Sequence, residues 1–524
     1  MICSKWGNTD RPPGINSSPL QGACMLAFAG SVMLALTGCD SGGKSSGDYT
    51  FNPPTSANYT PGVFAASANF KGQCSATEDQ NNWLRSWTNE TYLFYSEAPD
   101  RDPASYSTPN YFALMRSTAI TSAGVAKDPY HFAVPTDDQL TMKQAGIEMS
   151  YGLRFVVLQS TPPRNVVVAH VEPGSAAAAA GVFRGDTVRT VDGNDLINGN
   201  AVNALSAGLF PSALNESHQF TLRDTAGTDK DVTLTTGNIT LDAVHVSNVI
   251  ATDTGPVGYI SFNNPVATAE AELIAAITDL KAQNVQDLVL DLRYNGGGLP
   301  FDFATGNGGT ARLYIPTEME RTIVNELAYM IAGPDSTSTP GFPFEVRMFN
   351  DKSMSANVNP VTGDPLAPTP FYTTAQLGNG NAPLPTLNLP RVFVLTGGRT
   401  CAASEVLING LLGVNLDVIQ IGNTTCGQPY GFYPTDNCGT TYFSIQYQNA
   451  NASGTGDFLL GFSPQDTTGT QGTLLPGCTV ADDFSKQFGD PAEARLAAAL
   501  FYRANDSTCP TSSTSSASKL LTRF

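Results

Sequence analysis

Apolar positions in the second half of the chain fall into short continuous runs with helical stretches between them. PVGYISF from Pro256, DLVLDL from Asp287, VFVLT after Arg391 and DVIQIG from Asp417 read as buried strands. ATAEAELIAAITDLKAQ from Ala267 and EVLINGLLG from Glu405 carry their apolar residues at helical spacing. This alternation of strand and helix predicts an α/β core. Upstream, NVVVAHV from Asn165 is a further apolar strand. Asp79 to Arg116 reads as helical, with aromatic clusters WLRSW and TYLFY interrupted by Pro99 and Pro103. Pro334 to Pro390 is loop-rich, and Tyr430 to Gln448 reads as strands around a turn at Asp436-Asn437. The last helix, DPAEARLAAALFYR, is predicted to begin with Asp490 as its N-cap and Pro491 at its first position. No internal repeat is visible.

Length and charge narrow the possibilities. A chain of 524 residues is long enough for several domains. Its net charge of −18, with no basic run, excludes a nucleic-acid partner, because phosphate recognition needs clustered Lys and Arg. Ala23 to Leu36 is a 14-residue apolar segment, short for a bilayer span and suited to a signal-peptide core. It ends in Leu36-Thr37-Gly38-Cys39, which resembles a bacterial lipobox and implies lipidation of Cys39. The Gly/Ser-rich stretch from Ser41 then serves as a tether. Of nine cysteines, Cys3, Cys24 and Cys39 are consumed by this reading. Cys74, Cys401, Cys426, Cys438, Cys478 and Cys509 remain, an even set suited to disulfides in an exported protein, with connectivity open. No CxxC pair exists and the four histidines are scattered along the sequence, so no zinc site is expected.

Two constellations carry chemistry. The first runs from YGLRF, through the strand NVVVAHV, to EPGSAAAAAGVFRGDTVRTVDG. It resembles a PDZ domain in the order of its loop, strand, small-residue helix and GD-x-V turn. The resemblance implies a carboxylate-binding nest of backbone N–H groups at Gly152, Leu153, Arg154 and Phe155, beside a strand edge that accepts a peptide. The second joins VLDLRYNGGG, ending at Gly298, with RTCAASE from Arg399, a strand–turn–helix of the kind that exposes a nucleophile. Together with the upstream PDZ-like stretch, these motifs resemble the C-terminal processing peptidases, or tail-specific proteases. That family has a crotonase-like α/β core and cleaves peptide bonds with a serine nucleophile and a lysine base.

The resemblance implies specific roles. The serine position falls on Ala402, two residues before Ser404-Glu405, and the lysine position falls on Gln428, after Cys426-Gly427. A methyl group cannot attack a carbonyl and an amide is not basic at neutral pH. No lysine occurs between Lys352 and Lys486. The oxyanion-hole positions, the backbones of Gly298 and Ala403, are retained and are expected to offer their donors. Ser404 is expected to point away from the site as a helix-start residue. The family fold places Cys401 near Cys426, so a disulfide between them is implied, with a catalytic thiol at Cys401 as the alternative.

The expected fold class is therefore α/β and multidomain. The parts are a signal peptide at 1–39, a tether at 40–60, a helical region at 61–145, a PDZ domain at 146–240, a crotonase-like core at 241–505 and a Ser/Thr-rich tail at 506–524. The expected partners are unstructured polypeptide C-termini and, through the lipid, the periplasmic side of a bacterial cell-envelope membrane. No cofactor or metal is implied. Two functions remain at this point: a peptidase with a shifted dyad, and a pseudopeptidase that binds without cutting.

Overall fold

The apolar runs assemble into one six-stranded sheet. Its strands, in spatial order, are β1 Val244–Ile250, β2 Val257–Phe262, β3 Asp287–Asp291, β4 Arg391–Thr396, β5 Asp417–Gly422 and β6 Gly477–Thr479. β1 pairs antiparallel with β2, and β2 through β6 run parallel. Side chains alternate between two layers, as the strand period of two requires. Ile260, Leu290, Val392 and Val394 enter one apolar cluster; Tyr259, Val289, Phe393 and Ile421 enter another. The first layer is closed by α1 Ala269–Ala282, α2 Glu318–Ala332 and α3 Ala403–Gly413, through residues such as Leu273, Leu327 and Leu407. The second is closed by α4 Ala494–Ala504, through Leu496 and Ala499. Burial on both faces is why these strands read as continuous apolar runs. The α/β reading is borne out.

The computed structural model describes residues 59–136, 146–304, 310–315, 317–337, 342–378, 380–469, 471–505 and 507–511. The expected signal peptide with Cys39, the tether up to residue 58 and the tail beyond residue 511 lie outside these residues. Among the described residues, no helix is long and apolar enough to cross a membrane.

The N-terminal segment is tied to the C-terminal half. In the helix Thr77–Thr91, Trp83 and Trp87 lie one turn apart and stack at 5.2 Å, and both rest on Tyr442. The strand Phe132–Pro135 pairs antiparallel with Thr440–Phe443, and a disulfide joins Cys74 to Cys438. Two further disulfides join Cys401 to Cys426 and Cys478 to Cys509.

Residues 153–235 form a separate antiparallel sheet with its own apolar cluster, which includes Phe155, Val166, Val168, Phe220 and Leu222. Leu153–Gln159 is its edge strand. The outer face of this sheet, at Val156, Val167 and Ala169, packs against Tyr294 and Phe484 of the core. Arg184 crosses the same contact. It donates to the Ala169 carbonyl at 2.6 Å, the Tyr294 hydroxyl at 3.1 Å and Asp482 at 2.6 Å.

Asp482 leads to a cluster of buried charges. Arg293 donates to Asp291 at 3.0 Å, to Asp482 at 2.8 Å and to both oxygens of Glu493 at 2.7 and 2.9 Å. This network corrects the expected start of the last helix. The helix begins at Ala494, and its N-cap is Glu493, which accepts the Leu496 N–H at 3.0 Å. Asp490 instead accepts the Ala492 N–H at 2.9 Å, in the turn ahead of the helix. Arg293 fixes the Glu493 carboxylate, and that sets where the helix starts.

Removing one member of a buried ion network leaves the others unpaired, at a cost of about 3–5 kcal/mol. Arg293→Met is expected to lower the unfolding free energy by that amount in denaturant titration. Arg223→Met, which breaks an exposed pair with Asp229, should leave the transition midpoint unchanged.

Candidate active site

Three loops leave the carboxyl ends of the adjacent parallel strands β3, β4 and β5, where open α/β sheets place their ligands. They contain Asn295 to Gly298, Gly397 to Ala402 and Asn423 to Gln428. Hydrogen bonds sew them together. The Asn295 carbonyl accepts the Cys401 N–H at 3.2 Å and the Ser404 hydroxyl at 3.1 Å. The Thr400 hydroxyl donates to the Leu292 carbonyl at 2.7 Å, and the Thr400 carbonyl accepts the Cys426 N–H at 3.0 Å. The Cys401–Cys426 disulfide adds a covalent link, so no free thiol stands beside Ala402.

Gly297 has to be glycine. Its φ is +65°, and a Cβ there would lie 2.1 Å from the Cys401 carbonyl oxygen and 2.5 Å from the Ala403 nitrogen. The closeness has a chemical consequence, because the Ala403 N–H donates to the Gly297 carbonyl at 3.1 Å. The expectation that Ala403 offers an open oxyanion donor is therefore corrected: its donor is committed within the protein. Gly298 lies in the same loop, one residue beyond this bond.

Ala402 has φ +50° and ψ −115°, a conformation that costs a non-glycine residue about 1–3 kcal/mol. This is the sharp strand-to-helix elbow that presents a nucleophile in hydrolases, yet the side chain is a fully buried methyl group. What holds the elbow is Glu405. Its Oε2 accepts the N–H of Ala402 at 3.1 Å and the N–H of Gln428 at 2.8 Å. Its Oε1 accepts the Gly427 N–H at 2.8 Å and the Thr425 hydroxyl at 2.5 Å. One carboxylate oxygen thus bridges the backbones of the two positions that the family resemblance assigns to serine and lysine. Burial raises the Glu405 pKa to about 7 even though these donors pull it down. Tyr130, from the N-terminal segment, closes the site by donating its hydroxyl to the Gly427 carbonyl at 2.8 Å.

The remaining candidates fall elsewhere. Gly152 donates its N–H to the Ser150 hydroxyl at 3.1 Å and Arg154 is paired with both oxygens of Glu148, while Leu153 and Phe155 are buried. Described lysines with ammonium partners use them away from the elbow, at Glu97, Asp186 and Asn89. A groove of about 500 Å³ lined by Arg347, Phe349, Pro365 and Tyr433 includes none of these candidate residues. Sequence reasoning missed Glu405 as the organiser of the site, although its position three residues after the elbow is that of a capping-box acid. It also missed a cluster of His170, Glu172 and His245, whose atoms converge although the histidines were expected to be scattered. The signal available was the pair His170-x-Glu172 at the end of a strand.

Comparison with known proteins points to one peptidase family. Residues 256–306, which run from β2 through the Asn295–Gly298 loop, match the family model of Peptidase family S41. The recognition made on the motifs is borne out at this level. The chain is 29% identical over 224 residues to the chloroplastic C-terminal processing peptidase of Tetradesmus obliquus, covering 40% of this chain and 45% of that protein. It is 32% identical over 133 residues to the carboxyl-terminal-processing protease of Picosynechococcus sp., covering 24% of this chain and 30% of that protein. The matches thus span less than half the length of these curated relatives. In fold, the chain is similar to a solved structure from Bacteroides fragilis described as an S41 protease, with a TM-score of 0.56 and 21% identity over 80% of this chain and 97% of that one.

Glu405 gives the site a pH signature. Its folded pKa of about 7 lies above the ordinary value of 4.5, so between these values the folded state holds a proton that the unfolded state releases. The stabilisation is complete below pH 4.5 and is lost as pH rises through 7. Glu405→Gln is expected to remove this component. In urea titrations across that window, the wild type should lose on the order of 2–3 kcal/mol more than the variant.

Proposed function

We propose that this chain is an exported, lipid-anchored relative of the C-terminal processing peptidases that binds unstructured polypeptide C-termini without cutting them. The observation that carries the reading is the double coordination by Glu405 of Ala402 and Gln428. The elbow and its support persist, but the two positions hold a methyl group and an amide, and the adjacent Ala403 donor is occupied. Removing a nucleophile leaves at best the residual rate that binding and oxyanion stabilisation supply. Here the second of these also lacks a donor.

Binding is assigned to a PDZ domain at 146–240. The edge position of Leu153–Gln159 supports it, since an unpaired strand edge accepts an extended peptide as a further strand. The core at 241–505 is read as crotonase-like, with its strands in sequential parallel order. The lipid anchor rests on Leu36-Thr37-Gly38-Cys39, followed by the tether at 40–60, and places the protein on the periplasmic side of a bacterial envelope membrane.

The test compares the mature protein with its Ala402→Ser, Gln428→Lys double variant on an unstructured protein substrate. The wild type is expected to release no fragments. Cleavage by the double variant alone would identify a disabled peptidase scaffold. Cleavage by the wild type would overturn the reading, with loss on thiol alkylation in the absence of reductant then assigning it to Cys401. A peptide with a free C-terminal carboxylate is expected to bind, and its amidated form to bind at least about tenfold more weakly, as loss of a charge-assisted hydrogen bond requires.

A further inference from the structure

We propose that His170, Glu172 and His245 form a binding site for one divalent transition-metal ion of the zinc class, joining the 153–235 sheet to the core. His170 is the penultimate residue of the strand Asn165–Val171, and Glu172 directly follows that strand. His245 lies on β1 of the core sheet. The three side chains are buried, at 4%, 2% and 5% exposure. His170 Nε2 is 3.4 Å from Glu172 Oε1, and His245 Nε2 is 3.3 Å from Glu172 Oε2.

Among the described residues, His170 Nδ1 and Nε2, His245 Nε2 and Glu172 Oε1 have no hydrogen-bond partner. The Asp242 N–H approaches only the other carboxylate oxygen, at 3.3 Å. Burying a polar atom unsatisfied costs about 1–3 kcal/mol, so one nitrogen of His170, Nε2 of His245 and Oε1 of Glu172, unsatisfied beside one another, call for a ligand. The spacing identifies its kind. Metal–nitrogen and metal–oxygen bonds of about 2.0–2.1 Å at a tetrahedral angle place neighbouring ligand atoms about 3.3 Å apart, close to the distance of each imidazole nitrogen from one of the two Glu172 oxygens. All the ligand atoms lie within 4.8 Å of one another, so the two rings close the remaining separation by pivoting inward. Two imidazoles and one carboxylate suit zinc over calcium or magnesium, which take oxygen ligands, and over copper(I), which takes sulfur. A water molecule completes four coordination.

The placement gives the ion a mechanical role. Glu172 donates its N–H to the Gly152 carbonyl at 2.8 Å, and His170 stands opposite Arg154 in the strand pairing. The ion would therefore pin the Gly152–Phe155 loop to the edge of the core sheet. This site stands independently of whether the chain cuts peptides.

The experiment uses the mature chain without an affinity tag, stripped with a chelator and equilibrated with buffered zinc. Elemental analysis is expected to find about one zinc per chain, and cobalt in its place to give the visible absorption of a four-coordinate ion. Zinc should raise the melting temperature of the wild type and leave that of Glu172→Gln unchanged. His170→Gln and His245→Gln should each weaken zinc binding by more than the roughly 10–100-fold that loss of an outer partner costs. His218→Gln, on the strand Ser217–Arg223 of the same sheet unit, should bind as the wild type does. Should a variant fail to fold, the wild-type stoichiometry and cobalt spectrum decide alone. No retained zinc in the wild type, or equal retention in both histidine variants, would overturn the proposal.

Discussion

The guanidinium of Arg293 is the point on which the rest of the structure turns. It is fully buried and holds Asp291 at the end of β3, Asp482 ahead of α4 and Glu493 at the cap of α4. Charges are tolerated at such depth only when paired and hydrogen-bonded. Asp482 shows the balance: burial raises its pKa, and Arg495, Arg293 and Arg184 outweigh that, holding it well below the carboxylate range. Arg495 also donates to the Asn423 side chain at 2.6 Å, which brings the loop after β5 into the same network. One ion cluster therefore fixes the carboxyl edge of the sheet, the last helix and, through Arg184, the docked sheet unit.

On that frame Glu405 does the local work. A strained residue persists only where its surroundings over-determine it. At Ala402 the constraints are the Glu405 carboxylate below, the Gly297 backbone in contact above and the disulfide at Cys401. None of them needs a hydroxyl at residue 402. The conformation of the elbow is thus independent of the side chain at residue 402, because its stability lies in the backbone and its acceptor. The same saturation reaches Ala403, whose N–H is spent on the Gly297 carbonyl.

The sequence was legible wherever local pattern determined the outcome. Runs such as DLVLDL and VFVLT became the doubly buried strands they resembled, and the glycines after Asn295 marked a real close approach at Gly297. What escaped were features set by distant partners. The start of α4 moved from Asp490 to Glu493 because Arg293, two hundred residues earlier, holds that carboxylate. The pairing of Phe132–Pro135 with Thr440–Phe443 leaves no local trace in either segment. His170 and His245 looked unrelated because only the fold brings their rings to 4.8 Å. Ala403 kept its backbone donor in sequence terms, and only the position of the Gly297 carbonyl showed that donor to be used.

The docked sheet unit is held to the core by apolar packing and by one buried guanidinium. A hinged domain needs a contact that separates at low cost, and interfaces that move are polar and wet. Here Val156, Val167 and Ala169 are buried against Tyr294 and Phe484. Arg184 makes four hydrogen bonds across the contact, to the Asp483 and Lys486 carbonyls, the Tyr294 hydroxyl and Asp482, and a fifth to the Ala169 carbonyl within its own unit. Separation would strand its charge and break the network around Arg293. Because Tyr294 adjoins Asn295, the contact also braces the loop that closes over Ala402.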